Sequence, residues 1–375
     1  MRVAMCRTLI LVVRMAFSRC MIFLKEPPPT CWINWRKMKY NALICLAVVI
    51  FTACEKKNMP KQEQLPVLSP QARHIRDQVP AGAVIAHRGT TYWAPEETEA
   101  AYRWARNMGA DYLELDLQMT RDSVLVAVHD NDLQRTTNIT EVFPDRAADP
   151  VSTFTLAELR QLDAGSWFNQ AHSEQARSAF DDEKILTLED VAMIALGYRI
   201  RRTEGRPVPR MNGEEWTGHY EYVKDTADNG HRPGLYIETK TSGFEELLAA
   251  QLEQMGWYVG DNSRFVEVRS GKTGVANTAG RLVLQSFSRQ SLVRLDSLLP
   301  AAPKCLLLWR PDMRDSLESA WHEAVIFAVA NNMEFIGPSI AGPPNNYGEL
   351  TAPWMTDLVH ASGLYIHAYT FDTPA

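Results

Sequence analysis

From residue 83 onward, short apolar runs rich in β-branched and aromatic residues alternate with longer stretches whose apolar positions recur at helical spacing. The alternation predicts strands over 83–87, 112–117, 124–129, 235–239, 282–286, 305–309, 334–338 and 365–370. Between them it predicts helices over 98–108, 188–196, 244–255, 289–298, 317–330 and 356–361. Strands and helices in turn build a parallel sheet or barrel, and 375 residues suffice for one such domain, since barrels run to roughly 250 residues. One connection departs from the pattern. Only about six residues separate the strand ending near Leu117 from the one starting at Val124, whereas a parallel crossover needs roughly a dozen or more. These two strands are predicted to form a hairpin. With the turn centred on Arg121 and Asp122, Glu114 falls opposite His129, with Cβ atoms about 5 Å apart. Residues 131–184 and 197–233 fit no barrel element and read as insertions at the rim of an 81–375 domain.

The amino terminus has a different character. Residues 1–53 hold eight Lys or Arg against the single acid Glu26, and because the whole chain carries −6, the remainder carries −13. An acidic body offers no footprint for nucleic acid, whose backbone is bound through Lys and Arg. Five of the six cysteines also precede residue 55, which leaves Cys305 alone in the body and excludes a disulfide framework or CxxC site there. From Met38 the sequence reads MKYNALICLAVVIFTAC: a basic start, an apolar run too short for a comfortable membrane span, then small residues before Cys54. This is signal-peptide architecture over 38–53. It resembles a lipoprotein lipobox, with Cys54 as the lipidated first residue and Phe51 where Leu is usual. Translation is expected to begin at Met38, with 1–37 outside the native protein. Residues 54–80, polar and carrying prolines, read as a tether. The expected location is outside the cytoplasm, on a membrane facing the periplasm or cell surface.

Candidate chemistry sits at the strand ends. His87 and Arg88 end the first strand, Glu114 and Asp116 lie two apart on the second, His129 ends the third, and Glu238 and Lys240 lie two apart on the fourth. Strand periodicity places each i, i+2 pair on one face, and in a barrel these ends converge on one mouth. Carboxylates inside strands are costly to bury unpaired, and three facing one cavity raise one another's pKa. A hard divalent cation with oxygen ligands, Ca²⁺ or Mg²⁺, answers that problem, whereas zinc favours His or Cys.

Together HRG at 87–89, Pro95-Glu96 with Thr98, ELD at 114–116, HD at 129–130, LxRTT at 133–137, ETK at 238–240 and QSF at 285–287 resemble the glycerophosphodiester phosphodiesterase family. FPDRA at 143–147, IGP at 336–338 and HAYT at 367–370 are similar to its exported, periplasmic branch. The resemblance implies a TIM-type (β/α)8 barrel of the phospholipase C-like phosphodiesterase kind. It implies hydrolysis of small glycerophosphodiesters to sn-glycerol 3-phosphate and an alcohol. By resemblance His87 and His129 are the acid and base pair, Glu114, Asp116 and Glu238 hold one divalent cation, with Ca²⁺ preferred, and Arg88 and Lys240 grip the phosphate. Trp309 and Tyr369 are secondary candidates for lining the pocket around the glycerol. Two departures stand out: Glu97 replaces the family's usual Asn, and the chain stops at Ala375, where the family continues with a helix and a TDxP-like strand. The last strand and helix are therefore expected to be missing, leaving open edges at 84–87 and 365–370. Other readings are a phospholipase C- or D-like headgroup phosphodiesterase and a lipoprotein that binds phosphodiesters without turnover. No GxSxG, HExxH, P-loop or GxGxxG is present.

Overall fold

The computed structural model describes residues 10–11, 65–258, 274–313, 316–342 and 347–371. The signal-like segment and Cys54 lie outside the described residues. Where a tether was expected, Pro70–Arg76 forms a helix (α1), capped by the Ser69 side chain accepting from the Ala72 N–H, with Pro70 in its first turn. Proline at that position has its φ preset for a helix and loses no needed donor, so it opens a helix here.

The sheet strands are β1 (Val84–Ala86), β2 (Tyr112–Met119), β3 (Leu125–Ala127), β4 (Gly234–Thr239), β5 (Leu282–Ser286), β6 (Lys304–Leu308), β7 (Phe335–Pro338) and β8 (Tyr365–Ile366). Seven run parallel in the order β1-β2-β4-β5-β6-β7-β8, and β3 pairs antiparallel with β2 off that path. Intervening helices are α2 (Glu99–Met108), α3 (Leu188–Ala195), α4 (Glu245–Gln254), α5 (Arg289–Leu298), α6 (Leu317–Ala330) and α7 (Pro353–Ala361). This is the expected (β/α) barrel sheet, with no pairing between β8 and β1 among the described residues. The outer edge of β1 is not open as expected, because Ile10 and Leu11 pair antiparallel with Ile85 and Val84.

Strand alternation sorts the side chains. Along β2, Leu113, Leu115 and Leu117 pack outward with Leu235, Ile237 and Leu284 toward the helices. Tyr112 points inward with Ile85, Tyr236, Val283, Leu307 and Phe335. Period 2 then puts Glu114 and Asp116 on the same inner face as Tyr112, and Glu238 on that of Tyr236.

The hairpin is real, but its register is one residue away from expectation. Leu117 faces Ala127 and Met119 faces Leu125, and the Thr120 N–H donates to the Val124 carbonyl. The loop is thus three residues long, with Ser123 at φ 61°, the left-handed residue that closes such a turn. The ladder ends at Ala127, so His129 leaves the sheet and does not stand opposite Glu114.

The 131–184 stretch builds a small apolar core from Leu133, Ile139, Val151, Phe154, Leu156 and Leu159 beneath short helices. The 197–233 stretch forms antiparallel ribbons, Tyr198–Ile200 with Tyr222–Lys224 and Pro209–Asn212 with Glu215–Tyr220. It is tied to α2 through Asp225, which accepts from Arg103 at 2.7 and 2.8 Å and from the buried Arg106 at 2.6 Å. Removing one partner of a buried ion pair leaves an uncompensated charge. Arg106→Ala is therefore expected to lower unfolding free energy by about 3–5 kcal/mol, read by chemical denaturation. A change below about 1 kcal/mol, the level of an exposed pair, would show the tie to be weak.

Nearby, burial foremost and then the charge of Glu99 push the Glu183 carboxyl up to about 8. A carboxyl whose folded value is raised stabilises the protein fully below its unfolded value and loses that contribution as pH climbs through the folded one. Glu183→Gln is expected to gain stability over the wild type progressively between about pH 4.5 and 8. Denaturation midpoints at pH 5 and pH 9 check this, and a difference between the two proteins that does not vary with pH would contradict it.

Candidate active site

Three backbone devices aim the loop after β1. The parallel ladder between β1 and β2 stops at Ala86, because Arg88 turns the chain with φ 51°. Its own N–H donates to Glu114 Oε2 at 2.8 Å. Gly89 follows at φ +91°, where an added Cβ would meet Ala101 Cβ at 2.6 Å. The glycine of HRG is therefore required by both its backbone conformation and the close approach of α2. Thr98 caps α2, its hydroxyl accepting from the Ala101 N–H.

Register across the sheet assembles the carboxylates. Glu238 on β4 is aligned with Asp116 on β2 and with Gln285 on β5, and Tyr236 with Glu114 one row below. One oxygen from each of Glu114, Asp116 and Glu238 lies within 4.8 Å of the others, and all three residues are buried. Gln285 Nε2 donates to Glu114 Oε1 at 2.9 Å. The pair that completes the cluster is Arg88 Nε, 2.9 Å from Asp116 Oδ2, and Lys240 Nζ, 2.8 Å from Glu238 Oε1 and 3.5 Å from Asp116 Oδ1. Glu97, a half-turn away at φ 56°, accepts the Asp116 N–H at 2.7 Å.

These charges are out of balance. Among the described residues, the Lys and Arg partners of Glu97, Glu114, Asp116 and Glu238 are Arg88 and Lys240. Against the cost of burial, Arg88 and then Lys240 hold Asp116 well below the usual carboxylate range. Burial and the charge of Asp116 push Glu238 up to about 8 and Glu114 well above its ordinary value. Both Asp116 oxygens and Glu238 Oε1 are buried without a well-aligned donor among the described residues. Three buried carboxylates that converge within 4.8 Å and outnumber the cations beside them fit a divalent cation with hard oxygen ligands.

His129 sits across the mouth. Its Nδ1 is 2.6 Å from Asp130 Oδ1, so the ring donates there and leaves Nε2 for the cavity. Asp130 in turn takes Arg135 Nε at 2.5 Å, and Arg135 reaches Glu96 at 2.7 and 2.8 Å. Glu96 closes the chain to Arg88 at 3.2 Å. The hydrogen bond from His129, then Arg135, holds Asp130 well below the carboxylate range. His87 is half-buried, and burial, with Arg88 beside it, pushes its imidazole down to about 3.

Both histidines, both cations and two of the carboxylates open on one cavity of about 340 Å³. It is lined by His87, Arg88, Glu114, His129, Glu238 and Lys240, and also by Trp309 and Tyr369. The structure brings together seven of the eight candidate residues read from the sequence: six line the cavity, Asp116 stands behind them, and Cys54 lies outside the described residues. Sequence reasoning missed the brace of Asp130, Arg135 and Glu96, and the parts played by Gln285 and Glu97. The motifs containing them were visible; the contacts, spanning up to 39 residues between Glu96 and Arg135, were not. It also passed over His367, whose buried Nδ1 is 2.8 Å from the Tyr236 hydroxyl and whose ring stacks on Phe335 at 3.9 Å.

A parallel barrel sheet that gathers two histidines, an acidic cluster and two cations at its strand ends defines a hydrolase acting on phosphate esters. Residues 87–375 match the model of the glycerophosphoryl diester phosphodiesterase family. The Bacillus subtilis glycerophosphodiester phosphodiesterase is 31% identical over 295 residues, covering 78% of this chain and 77% of that protein. A glycerophosphodiester phosphodiesterase from Caldanaerobacter subterraneus is 44% identical over 108 residues, 29% of this chain and 38% of that one. A solved Silicibacter pomeroyi structure named for the same activity has a TM-score of 0.50 at 17% identity, covering 76% of this chain and 82% of that one, and shows the shared fold. The chain belongs to the glycerophosphoryl diester phosphodiesterase family and is a phosphoric diester hydrolase.

Proposed function

We propose that this protein hydrolyses glycerophosphodiesters to sn-glycerol 3-phosphate and an alcohol, using His87 and His129 as base and acid beside a divalent cation held by Glu114, Asp116 and Glu238. The observation that carries this reading is the sheet register, which sets Asp116 and Glu238 side by side with Glu114 on the same face. Ca²⁺ is the preferred ion, because several hard oxygens in an open mouth suit its variable coordination. When bound, the cation neutralises charge on the phosphoryl oxygens and so lowers the barrier to attack.

The chain's own residues do the rest. Arg88 and Lys240 place two positive charges where a phosphodiester anion enters and where its charge grows. His87, held neutral by burial, accepts the proton of the attacking hydroxyl. His129, oriented by Asp130 against Nδ1, delivers a proton from Nε2 to the departing alcohol. Arg135 and Glu96 lock the Asp130 carboxylate, so the ring holds its orientation. An enzyme of this kind is tested by supplying glycerophosphocholine and glycerophosphoglycerol and measuring free sn-glycerol 3-phosphate. Release of phosphocholine instead would mark a phospholipase C-like cleavage.

The protein's place is proposed to be the outer side of a membrane, anchored by lipid on Cys54. The support is the MKYNALICLAVVIFTAC segment and its fit to signal-peptide architecture. Among the described residues no helix is long and apolar enough to cross a membrane. Labelled palmitate is expected to be incorporated by the full chain in a bacterial host and lost in Cys54→Ala. Equal labelling of the two would place the lipid elsewhere, and none in either would remove the anchor.

A further inference from the structure

The cavity is lined by two chemically different sets of side chains. Among the described residues its Lys and Arg lining is Arg88 and Lys240, beside the carboxylates. The segments following β5, β6, β7 and β8 add Phe287, Trp309, Tyr347 and Tyr369 to the lining, together with Asp312. Phe287 and Tyr369 meet edge to face, with ring centroids 6.1 Å apart and planes at 89°. Tyr347 lies 6.3 Å from Tyr369. The Tyr369 hydroxyl donates to the Leu308 carbonyl at 2.9 Å, which ties that ring to the strand end preceding Trp309. Phe287 and Trp309 are 38% and 42% exposed, unusual for rings of their size and costly unless something covers them.

Asp312 stands beside them in a short turn, its N–H donating to the Trp309 carbonyl at 3.1 Å. It is exposed, and no ion pair to it occurs among the described residues. The neighbouring Arg310 donates to the Met313 carbonyl at 3.1 Å. Aromatic faces attract cations through the ring quadrupole, and quaternary ammonium groups bind in such settings. A carboxylate at the same wall adds attraction for a positive group and repels a negative one.

The geometry points to a subsite for a quaternary ammonium headgroup at the mouth, formed by Phe287, Trp309, Tyr347, Tyr369 and Asp312, which makes the preferred substrates glycerophosphodiesters with a cationic alcohol. This rests on the hydrolase reading above, with the phosphate seated at Arg88 and Lys240. A diester spans the cavity with its anionic phosphate at the basic end and its trimethylammonium at the aromatic end. The cavity, about 340 Å³, lies in the range that encloses a small ligand.

The test compares kcat/KM for glycerophosphocholine with that for glycerophosphoglycerol, whose headgroup is neutral, in the wild type, Asp312→Asn and Trp309→Ala. The wild type is expected to favour the choline substrate about ten-fold, the scale of a partly desolvated cation–π contact. Each variant is expected to lower that ratio several-fold, mainly through KM for the choline substrate. A wild-type ratio near one, or variants that lose both substrates in parallel, would overturn the subsite. Tetramethylammonium titrated into the protein by calorimetry reads the same site without turnover. Binding weakened in Asp312→Asn supports it, and no binding by the wild type overturns it. Hydrolysis of neither diester alongside intact tetramethylammonium binding would count against the hydrolase reading and leave the ammonium subsite standing.

Discussion

Replacing His87 or His129 by alanine is expected to lower kcat on glycerophosphocholine by about 10²-fold or more, the ordinary worth of a general acid or base, with the circular dichroism spectrum unchanged. The two losses are expected to differ with the leaving group. His129 donates to the departing alcohol, so His129→Ala should recover most of its loss on a diester whose leaving group is p-nitrophenol, which departs without a proton. His87→Ala should stay impaired on both substrates, because attack still requires a base. The reverse pattern would exchange the two roles. Activity within a few-fold of wild type in either variant would remove that histidine from the mechanism. The assignment stands on placement: His87 follows β1 beside Arg88, pushed down to about 3, whereas His129 is held by Asp130 at 2.6 Å.

Asp116→Asn is expected to cost on the order of 10³-fold in turnover, since a bound cation contributes several kcal/mol of charge stabilisation. Asp116 is the shared member of the cluster. It touches Arg88 and Lys240 and is aligned with Glu238 across the sheet. Removing its charge also releases both cations from their common partner. Calorimetric titration of Ca²⁺ into the variant is expected to show binding weakened by at least an order of magnitude. Wild-type affinity for Ca²⁺ together with wild-type turnover would take Asp116 out of the metal site.

Much of this site was legible in the chain because strand geometry is periodic. Polar residues at 114, 116 and 238 interrupt otherwise apolar runs, and the period of 2 puts Glu114 and Asp116 on one face of their strand. What the pattern could not carry was register. The hairpin was read with a two-residue turn, and the left-handed Ser123 made it three, which shifted every pairing by one. The strand expected over 365–370 shortens to Tyr365–Ile366, where His367 turns to stack on Phe335 and bond Tyr236. Helix α1 was hidden because Pro70, with Pro66 and Pro80 around it, reads as spacer punctuation, although Ser69-Pro70 is a helix-start signal. The ribbons of 197–233 use strands as short as two residues, too few for any periodicity to register. The brace from His129 through Asp130, Arg135 and Glu96 to Arg88 joins two separate loops, and such contacts exist only once the barrel brings them together.

The central claim is tested most directly by following sn-glycerol 3-phosphate released from glycerophosphocholine by protein stripped of divalent ions, before and after Ca²⁺ is restored. The expected result is no release above background from the stripped protein and full turnover on adding Ca²⁺, with choline appearing in equal amount. Undiminished release from the stripped protein would contradict the carboxylate cation site, and absence of release with Ca²⁺ or Mg²⁺ present would contradict the proposed hydrolysis itself.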